Sequence, residues 1–107
     1  MFDIHQSCVV TGFSQSQLLI ASHIKPWAKS TNEEKIDPYN GLLLTPNFDK
    51  LFDKNLISID FKCNVLISKI LQPSDIQFFK IPRKVNFTFD VKHKKYLDYH
   101  NALVEVE

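Results

Sequence analysis

One stretch of the chain, residues 22–53, contains most of the side chains that could carry out hydrolytic chemistry. His23 follows a short apolar run, Asn40 begins an Asn-Gly pair, and Asp49 and Asp53 lie four residues apart after a Thr-Pro dipeptide. A histidine can take a proton from water near neutral pH, and carboxylates bind hard divalent cations. This set of residues predicts metal-assisted hydrolysis.

The segments before the Thr-Pro dipeptide predict strands that position His23 and Asn40. Residues 8–12 read as a short strand that ends at a glycine turn. The apolar runs 18–21 and 42–44 predict two paired strands, and the polar, proline-containing segment between them predicts a long connecting loop. His23 would then lie where the first paired strand enters this loop.

A helix is predicted to follow the second paired strand. Thr45 is typical of a helix N-cap and Pro46 of the first helical position. Apolar residues then recur at i, i+3 and i+4, namely Phe48, Leu51 and Phe52. This spacing predicts a buried face, with Asp49 and Asp53 together on the neighbouring face. Asn55 follows as a candidate for the left-handed conformation.

The rest of the chain predicts further short elements. Residues 56–60 and 65–68 suit a second hairpin, and 73–79 suit a short helix. Residues 85–89 alternate as a strand does, and 94–104 have the spacing of a terminal helix. The mixture predicts an α+β fold.

Length and charge limit the classes of function. The chain has 107 residues, enough for one domain, and a net charge of +1 that produces no general basic field. The charge is uneven, because residues 80–95 contain six of the thirteen Lys and Arg with Asp90 as the one acid. This local patch is a candidate for phosphate contacts.

The cysteines and the hydropathy predict an intracellular protein. Cys8 and Cys63 are far apart and form no C-x-x-C motif, which argues against structural zinc and favours two free, buried thiols. Residues 1–13 lack the apolar core of a signal peptide, and no run reaches membrane-spanning length. We expect a cytoplasmic location and no membrane partner.

Several ordered motifs carry a resemblance to a known family. They are C-V-V-T-G at 8–12, S-H-I-K-P-W at 22–27, D-P-Y-N-G-L-L-L at 37–44, D-K-L-F-D-K-N-L-I-S at 49–58 and Y-L-D-Y-H at 96–100. Together they resemble the HNH endonuclease family, and within it the restriction-endonuclease type. The resemblance covers nearly all of the chain.

The resemblance implies an α+β fold with a ββα-metal core, an additional β-hairpin and a C-terminal helical extension. Residues 1–107 would form a single HNH nuclease domain, with a core at about 8–70 and an extension at about 71–107. The implied activity is metal-dependent hydrolysis of DNA phosphodiester bonds in restriction or defence. Relatives of this type often form the C-terminal part of longer enzymes, and cutting both strands would favour a homodimer.

The resemblance also assigns roles to the candidate residues. His23 would be the general base, against the alternative of a histidine that only bonds a backbone carbonyl. Asn40 would hold the loop that orients His23, against simple turn chemistry. Asp49 and Asp53 would bind Mg²⁺ or Mn²⁺ rather than zinc, against acids favoured by the helix dipole. Asn47 is a further candidate ligand.

DNA is the predicted partner, and lysines are the predicted contacts to its phosphates. The candidate lysines are Lys25, Lys50, Lys54, Lys92, Lys94 and Lys95. Trp27 could stack or could pack under the loop, and core packing is the prediction. Two positions depart from the family pattern: Asp49 stands where many members have histidine, and Asn55 replaces a glycine. The first departure keeps open a catalytically inactive HNH-like DNA-binding module.

Overall fold

The computed structural model describes residues 7–106 and combines short helices with two antiparallel hairpins, so the predicted α+β class is confirmed. The elements in chain order are β1 (Ile20–His23), α1 (Asn32–Ile36), β2 (Gly41–Leu44), α2 (Pro46–Asp53), β3 (Ile57–Ile59), β4 (Val65–Ile67), α3 (Pro73–Phe78) and α4 (Lys94–Asn101). Single 3₁₀ turns occupy Ser16–Leu18, Trp27–Lys29, Pro38–Asn40 and Val91–His93. Expectations for residues 1–6 lie outside the described residues.

The first hairpin positions the candidate base. β1 pairs with β2 in an antiparallel register that sets Ile20 opposite Leu44 and His23 opposite Gly41. The Ile24 N–H donates to the Asn40 carbonyl at 3.1 Å, which continues the pairing one step into the connecting loop. His23 and Asn40 therefore lie at the same end of the hairpin, although 17 positions separate them in the sequence.

Helix α2 begins and ends where the sequence predicts. Thr45 is the extended N-cap residue before Pro46, but its hydroxyl donates to Asn47 Oδ1 at 2.7 Å instead of capping the helix. The predicted apolar stripe is buried, with Phe48, Leu51 and Phe52 at most 7% exposed. Asn55 has the predicted left-handed conformation, with φ of 60°. Burial of this stripe packs α2 across both strands of the first hairpin.

The strand predicted at 8–12 is wrong. The segment folds back on itself, since the Gly12 N–H donates to the Cys8 carbonyl and the Cys8 N–H to the Phe13 carbonyl, both at 2.8 Å. Gly12 has φ of +79°, which suits a glycine in a tight turn. The Val9 N–H still donates to the Leu43 carbonyl, so the turn stays attached to the hairpin.

The strand predicted at 85–89 is also wrong, although its alternation correctly predicted burial. Val85 and Phe89 are buried, whereas Asn86 and Thr88 are exposed. The segment forms no ladder, because its pairing is limited to an Asn64–Lys84 bridge and single hydrogen bonds beside it. Period-two burial thus arises here from an extended segment lying on the core.

Other predicted boundaries shift by a few residues. β1 starts at Ile20, so Leu18 lies in a 3₁₀ turn and is 54% exposed instead of buried. α4 ends at Asn101, short of the predicted 104. Both cysteines are free as predicted, but only Cys8 is fully buried. Over residues 7–106, none of the helices combines the length and apolar character needed to cross a membrane.

A buried network joins α4 to α2 and β3. His100 is 2% exposed, donates from Nε2 to the Phe52 carbonyl at 2.9 Å and contacts the Ser58 hydroxyl through Nδ1 at 2.7 Å. Its ring stacks on the Phe52 ring with centroids 3.7 Å apart. Asn101 Nδ2 also donates to Ser58 Oγ at 2.7 Å. The C-terminal helix therefore fixes the end of α2 through polar contacts as well as packing.

His100 makes stability dependent on pH. Burial lowers its pKa from 6.5 to about 4, although the Phe52 carbonyl and the Asp53 charge favour the cation. The unfolded chain therefore binds the proton first, and stability is lost as pH falls from 6.5 towards 4, by about 3 kcal/mol in all. We expect urea unfolding at pH 7.5 and 5.0 to show the larger part of this loss, about 2 kcal/mol, in the wild type.

The matched variant for this measurement is His100→Gln, whose amide has a donor and an acceptor but does not titrate in this range. Its stability at pH 7.5 should be lower, but it should fall less between pH 7.5 and 5.0 than that of the wild type. His93 also makes the stability fall as the pH falls, because burial lowers its pKa too. His93 is unchanged in the variant, so this contribution is present in both proteins. Equal slopes in the two proteins would contradict the assignment.

Candidate functional site

His23 is half-buried at the end of β1, and its Nε2 nitrogen is hydrogen-bonded. Its Nε2 lies 2.9 Å from the Lys35 carbonyl oxygen, which can only accept, so Nε2 carries the hydrogen. In the neutral ring the basic lone pair is then on Nδ1. This carbonyl fixes the ring orientation and the tautomer, as a second hydrogen bond does for histidines that act as bases.

Asn40 is completely buried and holds the loop between β1 and β2. Its Oδ1 accepts from the Lys25 N–H at 2.8 Å. Its Nδ2 donates to the Glu34 carbonyl at 3.0 Å and lies 3.3 Å from Ser30 Oγ. One amide therefore ties three points of the loop, including the turn of α1 that presents the Lys35 carbonyl to His23.

Helix α1 is stabilised by its own cap. The Thr31 hydroxyl accepts from the Glu34 N–H, and Glu34 Oε1 accepts from the Thr31 N–H, which is a capping box. Glu34 also bonds Lys25 Nζ at 2.9 Å and lies 3.9 Å from Lys95 Nζ. The Thr31 N–H and then Lys25 lower the pKa of the Glu34 carboxyl. A five-residue helix thus stays ordered beside His23.

A second tether to this loop was not predicted from the sequence. The Tyr96 hydroxyl donates to Asp37 Oδ2 at 2.6 Å, and Asp37 Oδ1 accepts from the Tyr39 N–H. Burial, and then Asp37, raise the pKa of the Tyr96 hydroxyl. Asp37 and Tyr96 are 59 positions apart, so no local pattern could pair them. Helix α4 therefore holds the segment that leads into Asn40.

Asp49 and Asp53 lie on α2 as predicted. Asp49 is half-buried in the first turn and Asp53 is exposed in the last turn. Across residues 7–106, no three His, Cys, Asp or Glu side chains converge into a group that could hold a metal ion. His23 and the two aspartates therefore do not form a three-ligand cluster. Asn47 is exposed, and its Oδ1 accepts from Thr45.

The predicted lysines fall into different environments. Lys50 and Lys54 are exposed on α2, whereas Lys25 is held against Glu34. Lys94 pairs with Asp98 at 2.8 Å within α4. The exposed Lys94 and Lys54 keep access to solvent, but Lys25 is committed to an internal ion pair.

Two lysines of the basic segment, residues 80–95, border the loop that carries Asn40. Lys92 Nζ lies 5.2 Å from the centre of the Tyr39 ring, and Lys95 reaches Glu34. With Asp37 and Val91 they line an open cavity of about 420 Å³. The structure thus brings part of the basic patch next to the candidate site, which the sequence did not indicate.

The prediction that Trp27 packs in the core is wrong. The residue is 58% exposed in the 3₁₀ turn that follows Pro26. Its ring meets the His23 ring edge-on with centroids 5.4 Å apart, and Lys35 Nζ lies 4.4 Å from its centre. The short connection from β1 leaves the ring beside His23, too far out to reach the core. The exposure of this tryptophan was not predicted from the sequence, because a large apolar ring favours burial.

The comparison with known families matches the part of the chain that contains these residues. The family model described as HNH endonuclease matches residues 8–60, which contain β1, the loop with α1, β2, α2 and β3. No curated protein matches the chain. The matched region includes His23, Asn40, Asp49 and Asp53, while α4 lies beyond it. The chain belongs to the HNH endonuclease family.

Proposed function

We propose that the chain is a metal-dependent DNA endonuclease with His23 as its general base. The observation that carries the proposal is the fixed imidazole at the end of β1, whose Nε2–H is held by the Lys35 carbonyl. Asn40 ties the same loop from a fully buried position. An orientation fixed before substrate binds is what general base catalysis requires.

In the proposed reaction, Nδ1 of His23 accepts a proton from a water molecule while the water oxygen bonds to phosphorus. The bond from phosphorus to the 3′ oxygen breaks, and the leaving oxygen takes a proton from solvent. The positive charge that forms on the His23 ring is shared by Nε2–H. This charge strengthens the hydrogen bond that Nε2–H donates to the Lys35 carbonyl. The loop contacts of Asn40 keep this carbonyl in place.

The proposed cation would be held by Asp49 first, with Asp53 next and Asn47 as a further candidate. A site with one or two protein carboxylates and retained waters is usual for Mg²⁺, whereas zinc takes three or four protein ligands. The oxygen donors of α2 and the lack of a three-donor cluster among residues 7–106 fit Mg²⁺ or Mn²⁺ better. When bound, such a cation neutralises charge on the phosphate and the leaving oxygen.

We also propose that β1, β2 and α2 form a ββα-metal unit, supported by their order and by the packing of α2 on the hairpin. The second hairpin and residues 71–106 would be additions to it. A restriction or defence role, a homodimer and a place within a longer enzyme remain proposals that rest on the sequence resemblance. A cytoplasmic location is a proposal that rests on the cysteines and the hydropathy.

Cleavage of supercoiled plasmid tests the proposal directly. The wild-type protein should convert supercoiled to nicked and linear DNA with Mg²⁺ or Mn²⁺, and EDTA should stop the reaction. The variant His23→Ala is the control against a contaminating nuclease, because it shares the purification. Equal nicking by wild type and variant, or none by the wild type, would contradict the proposal.

A second candidate function is a DNA-binding module without catalysis. The observation in its favour is Asp49 at the position where many family members have histidine, together with the missing three-donor cluster in the described part of the chain. This module would bind DNA with the same lysines but never nick it. Plasmid binding without nicking at any tested Mg²⁺ or Mn²⁺ concentration would favour it over the nuclease.

The basic segment makes a separate prediction about salt. If Lys92, Lys94 and Lys95 contact phosphates, their replacement by glutamine should reduce the slope of log affinity against log salt by about 0.9 per lost contact. We expect Lys92 to contribute more than Lys94, whose ammonium pairs with Asp98. Fluorescence anisotropy with a labelled duplex between 50 and 200 mM salt measures the slope.

The matched control for this series is Lys62→Gln. Lys62 is an exposed lysine in the turn between β3 and β4, outside the basic segment. It changes net charge without touching the candidate surface, so the salt slope should stay the same. An unchanged slope in the triple variant as well would mean that residues 92–95 are only solvated.

A further inference from the structure

Trp27 is a large aromatic side chain that remains exposed beside the proposed base. More than half of its surface, 58%, is open to solvent. A tryptophan normally buries much more, because its apolar ring gains free energy on leaving water. An exposed tryptophan next to a candidate active site is therefore a candidate for contact with a ligand.

The ring is exposed but not loose. The turn beneath it is tied by hydrogen bonds from the Ser30 N–H to the Trp27 carbonyl and from the Ser30 hydroxyl to the Pro26 carbonyl, both at 3.1 Å. The ring itself contacts the His23 ring and the Lys35 ammonium. These contacts order the ring before any ligand arrives, which lowers the entropy cost of binding.

His23, Trp27 and Lys35 form one cluster. The Lys35 carbonyl accepts from His23 Nε2, while its ammonium lies 4.4 Å from the centre of the indole ring. An aromatic ring thus lies 5.4 Å from the imidazole, and a cation lies 4.4 Å from the centre of that aromatic ring, a combination that suits a nucleobase and its phosphate.

We propose that Trp27 is a stacking platform for a nucleobase adjacent to the phosphate that is attacked by the water His23 deprotonates. The inference rests on the proposed nuclease function and adds a substrate class, namely DNA with an unpaired or unstacked base at the cleavage position. A base within an intact duplex already stacks on its neighbours and cannot lie on the indole. Lys35 supplies positive charge for the flanking phosphate.

The experiment uses the full chain in EDTA, so that binding is measured without cleavage. The probes are a labelled 12-nucleotide oligothymidylate and a chain with the same number of phosphates but abasic residues throughout. Fluorescence anisotropy gives both affinities for wild type, Trp27→Ala and Trp27→Phe. Because the sequence contains one tryptophan, indole emission reports on this position alone.

We expect the wild type to bind the base-bearing strand about tenfold more tightly than the abasic strand, with quenching of indole emission. Trp27→Ala should lose this preference, and Trp27→Phe should keep most of it, because phenylalanine retains a stacking face. Phe78→Ala is the matched control, since Phe78 is 78% exposed on α3. This control should keep the preference.

Equal affinity of the wild type for both strands, or a preference that survives in Trp27→Ala, would overturn the inference. Such a result combined with plasmid nicking would overturn the inference alone and leave the nuclease intact. A wild type that binds neither strand and nicks nothing would overturn both. Loss of affinity for the two strands to the same extent in Trp27→Ala would assign Trp27 a structural role and also overturn the inference.

Discussion

Replacement of His23 by alanine is expected to lower plasmid nicking by roughly 10²–10⁴-fold, the usual cost of losing a positioned base. The melting temperature should change little, because His23 is only half-buried and the loop keeps its contacts to Asn40 and Tyr96 in the variant. The measurement is single-turnover nicking at saturating Mg²⁺, with circular dichroism to confirm folding.

Added imidazole separates a chemical role of His23 from a structural one. If the ring acts as a base, free imidazole should restore part of the activity of His23→Ala, because it can accept the same proton in the space left behind. A ring that only holds the loop would not be replaced in this way. Full activity of a folded His23→Ala protein would eliminate the assignment.

The elements that position this residue were largely predictable, because the patterns that encode them are local. The spacing of Phe48, Leu51 and Phe52 after Thr45-Pro46 determines α2, and their burial confirms the stripe. The pairing of β1 with β2 followed from two apolar runs, although β1 begins two residues later than predicted and β2 one residue earlier. Local spacing therefore predicts which elements form better than where they begin.

The contacts that order the loop were not predictable in the same way. The bond from Tyr96 to Asp37 and the pairing of Lys25 with Glu34 join residues whose proximity depends on the whole fold. Trp27 shows a second limit of prediction from local sequence. Its residue type predicts burial in the core, but the turn that carries it lies at the surface. The sequence could name the candidate base and asparagine, but not the residues that hold their loop in place.

Two hydrogen bonds also connect the family-matched region to helix α4. Residues 8–60 match the family, yet Tyr96 on α4 holds Asp37 and His100 holds the Phe52 carbonyl at the end of α2. The two contacts reach the loop of the proposed base and the helix of the proposed ligands, respectively. Helix α4 thus supports both halves of the proposed site without contributing a proposed catalytic residue.

The proposed cation site gives the second large effect. Asp49 lies half-buried in the first turn of α2, where a carboxylate is already favoured by the helix dipole. Asp53 is exposed one turn later, and its charge raises the pKa of His100 on α4 against the larger, opposite effect of burial. We therefore expect unequal contributions. Asp49→Ala should weaken Mn²⁺ binding at least roughly 100-fold and abolish nicking, and Asp53→Ala should weaken it about tenfold.

Calorimetric titration of Mn²⁺ into the wild type and both variants measures these affinities, and nicking is assayed over the same Mn²⁺ range. Asp98→Ala is the matched control, because Asp98 is an exposed carboxylate on α4 that pairs with Lys94. Its removal changes the net charge by the same amount but leaves α2 intact, so Mn²⁺ binding should not change.

If Asp49→Ala binds Mn²⁺ as tightly as the wild type, Asp49 is not the ligand. Asn47, whose Oδ1 already accepts from the Thr45 hydroxyl, would then be the next donor to replace. A parallel loss in Asp98→Ala would instead show that the titration reports general surface charge.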